Sequence, residues 1–144
     1  MARPPASFGD FVREGLAALD DELPWCAARM ASALGRRDAL LTVDGEPVRV
    51  RADGARVRVI DAVEFSPCVT LTTDRVTVLR LADAETTVLD AVLDGSITLR
   101  GDVDDLVAFY EGLQGFLLGA VRSPSFPRLL ERYRRWAAPP EALP

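Results

Sequence analysis

A small group of side chains in this sequence has the types needed for acid–base chemistry. Asp90, Asp94, Tyr110 and Glu111 lie on or beside segments whose apolar residues recur at helical spacing. A carboxyl group whose pKa is raised by burial can transfer protons to and from a bound substrate. No spacing among these four residues requires such chemistry, so an enzyme is one of the interpretations that the sequence leaves open.

The composition excludes several other kinds of site. The chain has 144 residues, all 17 basic residues are arginine, and there is no histidine or lysine. Without histidine there is no Ser-His-Asp or Cys-His site, no His metal ligand and no imidazole pH switch. Without lysine there is no Schiff base and no P-loop. We therefore expect no cofactor, and no metal ion bound through histidine.

Three carboxylates, Asp102, Asp104 and Asp105, crowd the predicted start of the longest helix. The helix dipole favours negative charge at that end, so we interpret them as structural. A divalent-cation site made of these three alone is the alternative. Because no motif supports either kind of site, we predict no catalytic residue and no metal site.

Charge and hydropathy indicate where the protein resides. The net charge of −5 does not favour nucleic-acid binding. Cys26 and Cys68 form no CxxC motif and have apolar neighbours, so we expect buried thiols without a disulfide. No apolar run resembles a signal peptide or a membrane span, which predicts a cytoplasmic protein.

The periodicity of the apolar residues predicts one domain over residues 7–138, between a flexible leader, 1–6, and a flexible tail, 139–144. The predicted elements are a helical hairpin 7–35, strands within 39–81 (including Val76 to Leu81), a helix 83–94 that Asp83 would cap, a strand 96–100, and helices 102–121 and 125–137. This order predicts an α+β fold with about five or six mainly antiparallel strands and helices on one face.

A patch of arginines is predicted on one hairpin. Asp53-Gly54 separates two alternating runs and predicts a two-residue turn. The resulting register would place the arginines on one face in two opposing pairs, Arg51 with Arg56 and Arg49 with Arg58. Like charges in these positions repel. Solvent, acids such as Asp61 or Glu64, or an anionic partner would have to offset the repulsion.

One segment resembles a known family. Gly95, Ile97, Leu99, Gly101 and Asp102 fit the Gly-x-hydrophobic-x-hydrophobic-x-Gly-Asp strand of the sterol-carrier-protein-2 (SCP2-like) lipid-binding domains. Residues 67–122 also show that family's order of strands, short helix, strand and long helix. The resemblance implies a hydrophobic tunnel between sheet and helices that takes sterols, fatty acyl chains or similar lipids.

With that fold, the residues expected to form the tunnel wall are apolar residues of the second half of the chain: Val69, Leu71, Leu89, Val92, Leu93, Ile97, Leu99, Leu106, Tyr110, Leu113 and Leu117. The helix 102–121 is apolar nearly all round, which is typical of burial, a cavity or an interface. The helix 125–137 combines arginines with aromatic residues, so it either docks on the domain or makes transient contact with a membrane surface.

Three functional interpretations follow. The first is a non-catalytic carrier of an apolar small molecule. The second is a cyclase or isomerase that uses the same cavity, with a carboxylate or Tyr110 as acid or base. The third is an interaction module whose apolar helices form a homodimer or dock a partner.

Overall fold

Five strands and six helices make up the part of the chain that the structure, a computed structural model, describes: residues 7–61 and 66–137. The elements are α1 (Phe8–Glu22), α2 (Pro24–Leu34), β1 (Asp38–Val43), β2 (Glu46–Asp53), β3 (Arg56–Ile60), β4 (Val69–Thr73), α3 (Arg75–Ala82), α4 (Val88–Leu93), β5 (Thr98–Arg100), α5 (Val103–Arg122) and α6 (Phe126–Ala137). The predicted leader, the tail and Glu64 lie outside the described residues.

The strands form one sheet in the order β3-β2-β1-β4-β5. The β1–β4 pair is parallel and the other three pairs are antiparallel. Side chains alternate between the faces of a strand, so Ala39 and Val43 of β1 are buried while Leu40 between them points to the other face. The predicted α+β class and the mainly antiparallel sheet are confirmed.

The two hairpins use different turns. Asp44 and Gly45 both have positive φ, 49° and 83°, which suits the type I′ turn between β1 and β2. In the second hairpin Asp53 pairs with Arg56, so the turn residues are Gly54 and Ala55. Of these two, Gly54 alone has positive φ, 69°. A glycine at the first central position fits a type II′ turn, which leaves Asp53 in the strand.

The arginine register predicted from Asp53-Gly54 is therefore wrong. Arg51 lies opposite Arg58, Arg49 lies opposite Ile60, and Arg56 faces Asp53. The observed register differs from the predicted one by two residues. Because side chains alternate between the faces of a strand, the four arginines still share one face of the sheet.

Two helix boundaries also differ from the prediction. Residues Val76 to Leu81, predicted as a strand, belong to α3. The Asp74 carboxylate accepts a hydrogen bond from the Thr77 backbone N–H at 2.7 Å, which caps this helix. Asp83 ends α3 instead of opening the next helix, and Thr87 caps α4 by accepting from the Asp90 N–H at 3.1 Å. A run of alternating residues as short as this suits a helix turn as well as a strand.

The N-terminus of α1 is fixed to the sheet. Ser7 and Asp10 form a capping box, as the sequence suggests. The carboxylate of Glu46, at the start of β2, accepts hydrogen bonds from the backbone N–H groups of Phe8 and Gly9 at 3.1 and 3.0 Å. These contacts place the first turn of α1 over the end of the first hairpin.

The long helix α5 packs closely on α1 and α2 because two of its glycines face them. A Cβ at Gly115 would lie 2.9 Å from Met30 Cγ, and one at Gly119 would lie 2.7 Å from Leu19 Cδ2. At both distances the neighbouring side chain would have to move to admit a Cβ. The glycines of α5 therefore allow close helix packing, and this offsets the cost of glycine within a helix.

Candidate ligand-binding cavity

An apolar cavity of ≈ 140 Å³ lies between the helix-covered face of the sheet and the helices α1, α2, α3 and α5. Among the described residues that line it, Thr73 alone has a polar side chain, and no charged group is present. The lining residues are Phe8, Phe11, Val12, Leu16, Met30, Leu34, Leu41, Val43, Val50, Val57, Leu71, Thr73, Val78, Leu81, Ile97, Phe109, Gly112, Leu113 and Phe116.

Periodicity explains how these side chains come together. In α1, Phe8, Phe11, Val12 and Leu16 recur at helical spacing, so all four point towards the sheet. In the strands every second residue faces the helices, as Leu41 and Val43 do in β1. The cavity is thus the space that remains where one helical stripe and one sheet face meet.

The single polar side chain of the wall is already engaged. The Thr73 hydroxyl donates a hydrogen bond to the Ser96 backbone carbonyl at 2.8 Å. This bond ties the end of β4 to the segment before β5. A ligand in the cavity would therefore meet hydrocarbon and aromatic surface almost everywhere.

Three of the residues expected in the wall line the cavity: Leu71, Ile97 and Leu113. The other eight are not among its described lining residues. Val69 is fully buried in the core. Val92, Leu99, Leu106 and Leu117 are partly buried against that core. Leu89, Leu93 and Tyr110 lie at the surface, with exposed fractions of 58%, 76% and 37%.

The orientation of two helices accounts for the exposed residues. In α4 the inward residues are Val88 and Ala91, which turns Leu89 and Leu93 to the solvent. In α5 the buried residues include Phe109 and Gly112, so Tyr110 points away from the sheet. The sequence pattern identified apolar residues on more than one side of each helix. It did not determine which side faces inward.

Much of the wall comes from the N-terminal half of the chain, where no wall residue was predicted. Phe8, Phe11, Met30 and Val50 are examples. The available signal was the strong apolar stripe of α1, but that stripe is equally typical of an ordinary core helix.

The groups considered for acid–base chemistry lie elsewhere. Asp90, Asp94, Tyr110 and Glu111 are all exposed, and none is a described lining residue. Hydrogen bonds from Ser96 lower the pKa of Asp94, whereas a buried general acid needs a raised one.

The other reactive groups are placed as follows. No cluster of potential metal ligands occurs among residues 7–61 and 66–137. Asp105 pairs with Arg37 at 2.7 Å, which gives one carboxylate of the acidic cluster a structural partner. Cys26 is buried, its thiol donates to the Gly115 carbonyl at 3.1 Å, and burial raises its pKa. Cys68, expected to be buried, is exposed because it precedes β4 at the margin of the sheet.

The predicted arginine patch has acidic neighbours within the chain. Arg51 forms a bidentate ion pair with Asp38 across the β1–β2 ladder, with both distances 2.7 Å. Arg58 lies 3.4 Å from Asp53, and Arg56 lies 3.8 Å from Asp20. These acids offset the like-charge repulsion. Asp61, one of the acids named for that role, pairs with Arg13 instead.

No protein-family model and no curated protein sequence matches the chain. Solved structures do match. A sterol carrier protein domain 2 from Helicoverpa armigera superposes with a TM-score of 0.57 at 15% identity over 80% of this chain and 93% of that chain. A UbiJ-SCP2 ubiquinone synthesis protein gives 0.55 at 15% over 80% and 96%.

A Thermus thermophilus protein described as possibly a sterol carrier protein gives a TM-score of 0.51 at 13% identity over 98% of this chain and 97% of that chain. The chain therefore has the SCP2-like fold, and the resemblance first seen around Gly95 and Asp102 is confirmed at the level of the fold. None of the described helices combines the length and hydropathy needed to cross a membrane.

Proposed function

We propose that this protein binds an apolar small molecule, such as a sterol, a fatty acyl chain or a similar lipid, in the cavity under α1 and α5, without covalent chemistry. The observation that supports it best is the wall itself, in which Thr73 is the one polar side chain among the described lining residues. Structural neighbours described as sterol carrier proteins support the same class of ligand.

The energetics of such binding need few polar contacts. Burial of one methylene contributes about 0.8 kcal/mol, so a chain of about twelve contributes roughly 10 kcal/mol. Association costs about 4–15 kcal/mol in lost motion. At the lower end of that cost about 6 kcal/mol remains, which corresponds to a Kd of roughly tens of micromolar from hydrophobic contact alone. The same walls would discriminate poorly between ligands of similar length.

The volume of the cavity limits what it holds without rearrangement. At ≈ 140 Å³ it is close to the engineered cavity of about 150 Å³ that takes up benzene. One ring or a short aliphatic segment fits at once. A longer ligand must displace wall residues, and Met30, with its flexible thioether, and the half-buried Leu113 are suited to such movement.

The proposal includes transient contact of helix 125–137 with a membrane surface during ligand exchange. In the structure, Phe126 and Tyr133 of α6 are buried in the domain, whereas Arg128 and Arg135 are exposed. Contact in this docked state would be made by arginines with anionic headgroups. The proposal therefore does not require α6 to leave the domain.

Ligand binding is tested by filling the cavity. Ile97→Phe adds a ring at a buried lining residue, and Leu93→Phe adds the same kind of ring at an exposed residue four positions earlier. We expect Ile97→Phe to weaken binding of a fluorescent fatty acid by about tenfold or more, since each 1.4 kcal/mol is tenfold, and Leu93→Phe to leave it unchanged. Thermal melting of both variants is the control that shows whether they fold.

Lipid extracts of gently purified protein, analysed by mass spectrometry, should contain a bound apolar compound that Ile97→Phe lacks. Equal binding by the wild type and both variants would contradict the cavity as the site. Absence of any bound or titratable apolar ligand would contradict the proposed function.

A further inference from the structure

The side of α5 that faces away from the domain carries an apolar stripe. The stripe runs the length of a 20-residue helix, which corresponds to about 30 Å. Its apolar members are between 37% and 83% exposed: Val103, Val107, Tyr110, Leu118 and Val121. Gln114 is the polar residue within it, and its side-chain amide donates to the Tyr110 hydroxyl at 3.0 Å.

This stripe is not used by the described fold. The opposite side of α5, which includes Ala108, Phe109 and Gly119, is the buried one and packs on α2 and the core. A helix that is apolar on both sides is typical of a second contact. Neither end of the stripe touches the cavity, so its role is separate from ligand binding.

The order of residues along the stripe is self-complementary. If a second copy of α5 lies antiparallel, with the two-fold axis near Gly112, Val103 comes opposite Val121 of the other copy. In the same register Tyr110 comes opposite Gln114, and Val107 lies within one residue of the position opposite Leu118, about 1.5 Å along the helix axis. Such self-matching of one surface is what a two-fold symmetric dimer requires.

The flanking charges match in the same register. Asp104 and Arg122 are 18 residues apart, which is five helical turns, so they lie on the same side of the stripe. In an antiparallel pair, Asp104 of each copy comes close to Arg122 of the other. Within the described part of the chain, Asp104 forms no ion pair, so its carboxylate is available for this contact.

An exposed aromatic residue extends the stripe at one end. The Arg122 guanidinium lies 6.0 Å from the centroid of the Trp25 ring, and Trp25 is 46% exposed. Tryptophan and arginine are the residues most enriched where interfaces gain their energy. The α5 stripe and Trp25 together form one continuous candidate contact.

We propose that two copies of this protein associate through their α5 stripes in an antiparallel, two-fold symmetric pair. A membrane fits this surface less well. Asp102, Asp104 and Glu111 are exposed beside the stripe, so an anionic bilayer would be repelled by this face of the protein.

The pair is expected to be reversible. Glu111 lies close to the proposed axis, where it approaches Glu111 of the other copy, and like charges there oppose association. We therefore expect dimerisation in the micromolar range or weaker, with Glu111→Gln strengthening it.

The test is sedimentation equilibrium of the full chain from micromolar to near-millimolar concentration. Val107→Asp should weaken the dimer by about tenfold or more, because it places a charge in the stripe. Val76→Asp makes the same change at an exposed valine of α3 and should have no effect. A protein that stays monomeric at every concentration would overturn the proposal, as would equal effects of the two variants.

A charge exchange tests the register. Asp104→Arg and Arg122→Asp should each weaken the dimer, and the double variant should recover most of the loss. If the double variant is as weak as the two single changes combined, the antiparallel register is wrong. Vesicle binding by the wild type that Val107→Asp removes would assign the stripe to membranes instead. Ligand binding is expected to be unchanged in all of these variants, so the dimer and the cavity can fail independently.

Discussion

The ring of Tyr133, in α6, stacks on the ring of Phe11, in α1, with centroids 4.6 Å apart and planes inclined by 21°. Phe11 lines the cavity and Tyr133 is fully buried behind it. Phe126 of α6 makes an edge-to-face contact with Phe116, with the ring centroids 5.5 Å apart. The C-terminal helix thus supports the cavity wall from outside, through aromatic contacts that would be lost if α6 left the domain.

Truncation of Tyr133 should therefore destabilise the domain. We expect Tyr133→Ala to lower the free energy of unfolding by about 3 kcal/mol or more, as for other buried aromatic residues. Denaturant titration measures it. The matched control is Arg128→Ala, an exposed position on the same helix, which should change stability by less than about 0.5 kcal/mol. A similar small effect of both changes would show that α6 is not docked.

Two glycines that look alike in the sequence should respond in opposite ways to alanine. At Gly101, φ is 153° and a Cβ would lie 2.7 Å from the Cys68 carbonyl oxygen. Gly101→Ala should cost about 1–3 kcal/mol, since the backbone there cannot move freely. At Gly112 the nearest atom to a Cβ is the Met30 carbonyl oxygen at 3.8 Å, an ordinary contact.

Gly112→Ala should therefore be neutral or stabilise α5 by up to about 1 kcal/mol. Differential scanning calorimetry of both variants measures the changes in Tm. The prediction fails if Gly112→Ala is the more destabilising of the two.

The ion pair between Asp38 and Arg51 should make the stability of the fold depend on pH. Hydrogen bonds from the Arg51 guanidinium hold the pKa of the Asp38 carboxyl below its ordinary value. A lowered pKa in the folded state means that the pair stabilises the fold above the unfolded pKa of aspartate, about 3.9. That contribution is lost as the pH falls through the lower, folded pKa.

Asp38→Asn should thus reduce Tm at neutral pH, and the difference from the wild type should shrink as the solution is acidified below about pH 4. Glu111→Gln, at an exposed carboxylate in the middle of α5 without an ion pair within the described residues, is the control and should leave Tm unchanged across this pH range at protein concentrations where the chain is monomeric. Thermal unfolding followed by circular dichroism across this pH range provides the measurement. A difference that stays constant with pH would contradict the assigned role of the pair.

The amino-acid sequence alone was sufficient for the class of fold. Several local features that neighbouring residues specify are present in the structure: the Ser7–Asp10 capping box, the Asp44-Gly45 turn, and the strand between Gly95 and Gly101 that leads into α5. Each depends on the backbone preferences of a few neighbouring residues, which the sequence states directly.

Tertiary contacts determined the structure of segments whose local preferences were compatible with more than one conformation. The run from Val76 to Leu81 is compatible with a strand or a helix, and the Asp74 cap together with packing on the core makes it α3. The turn after Asp53 consists of Gly54 and Ala55, because the observed pairing of β2 with β3 keeps Asp53 in the strand. The cavity wall depended on which side of each apolar helix faces the sheet, as the buried Ala91 and the exposed Leu93 of α4 show. Periodicity defines an apolar side, but only packing against distant segments selects which apolar side is buried, because burial energy belongs to the contact and not to the residue.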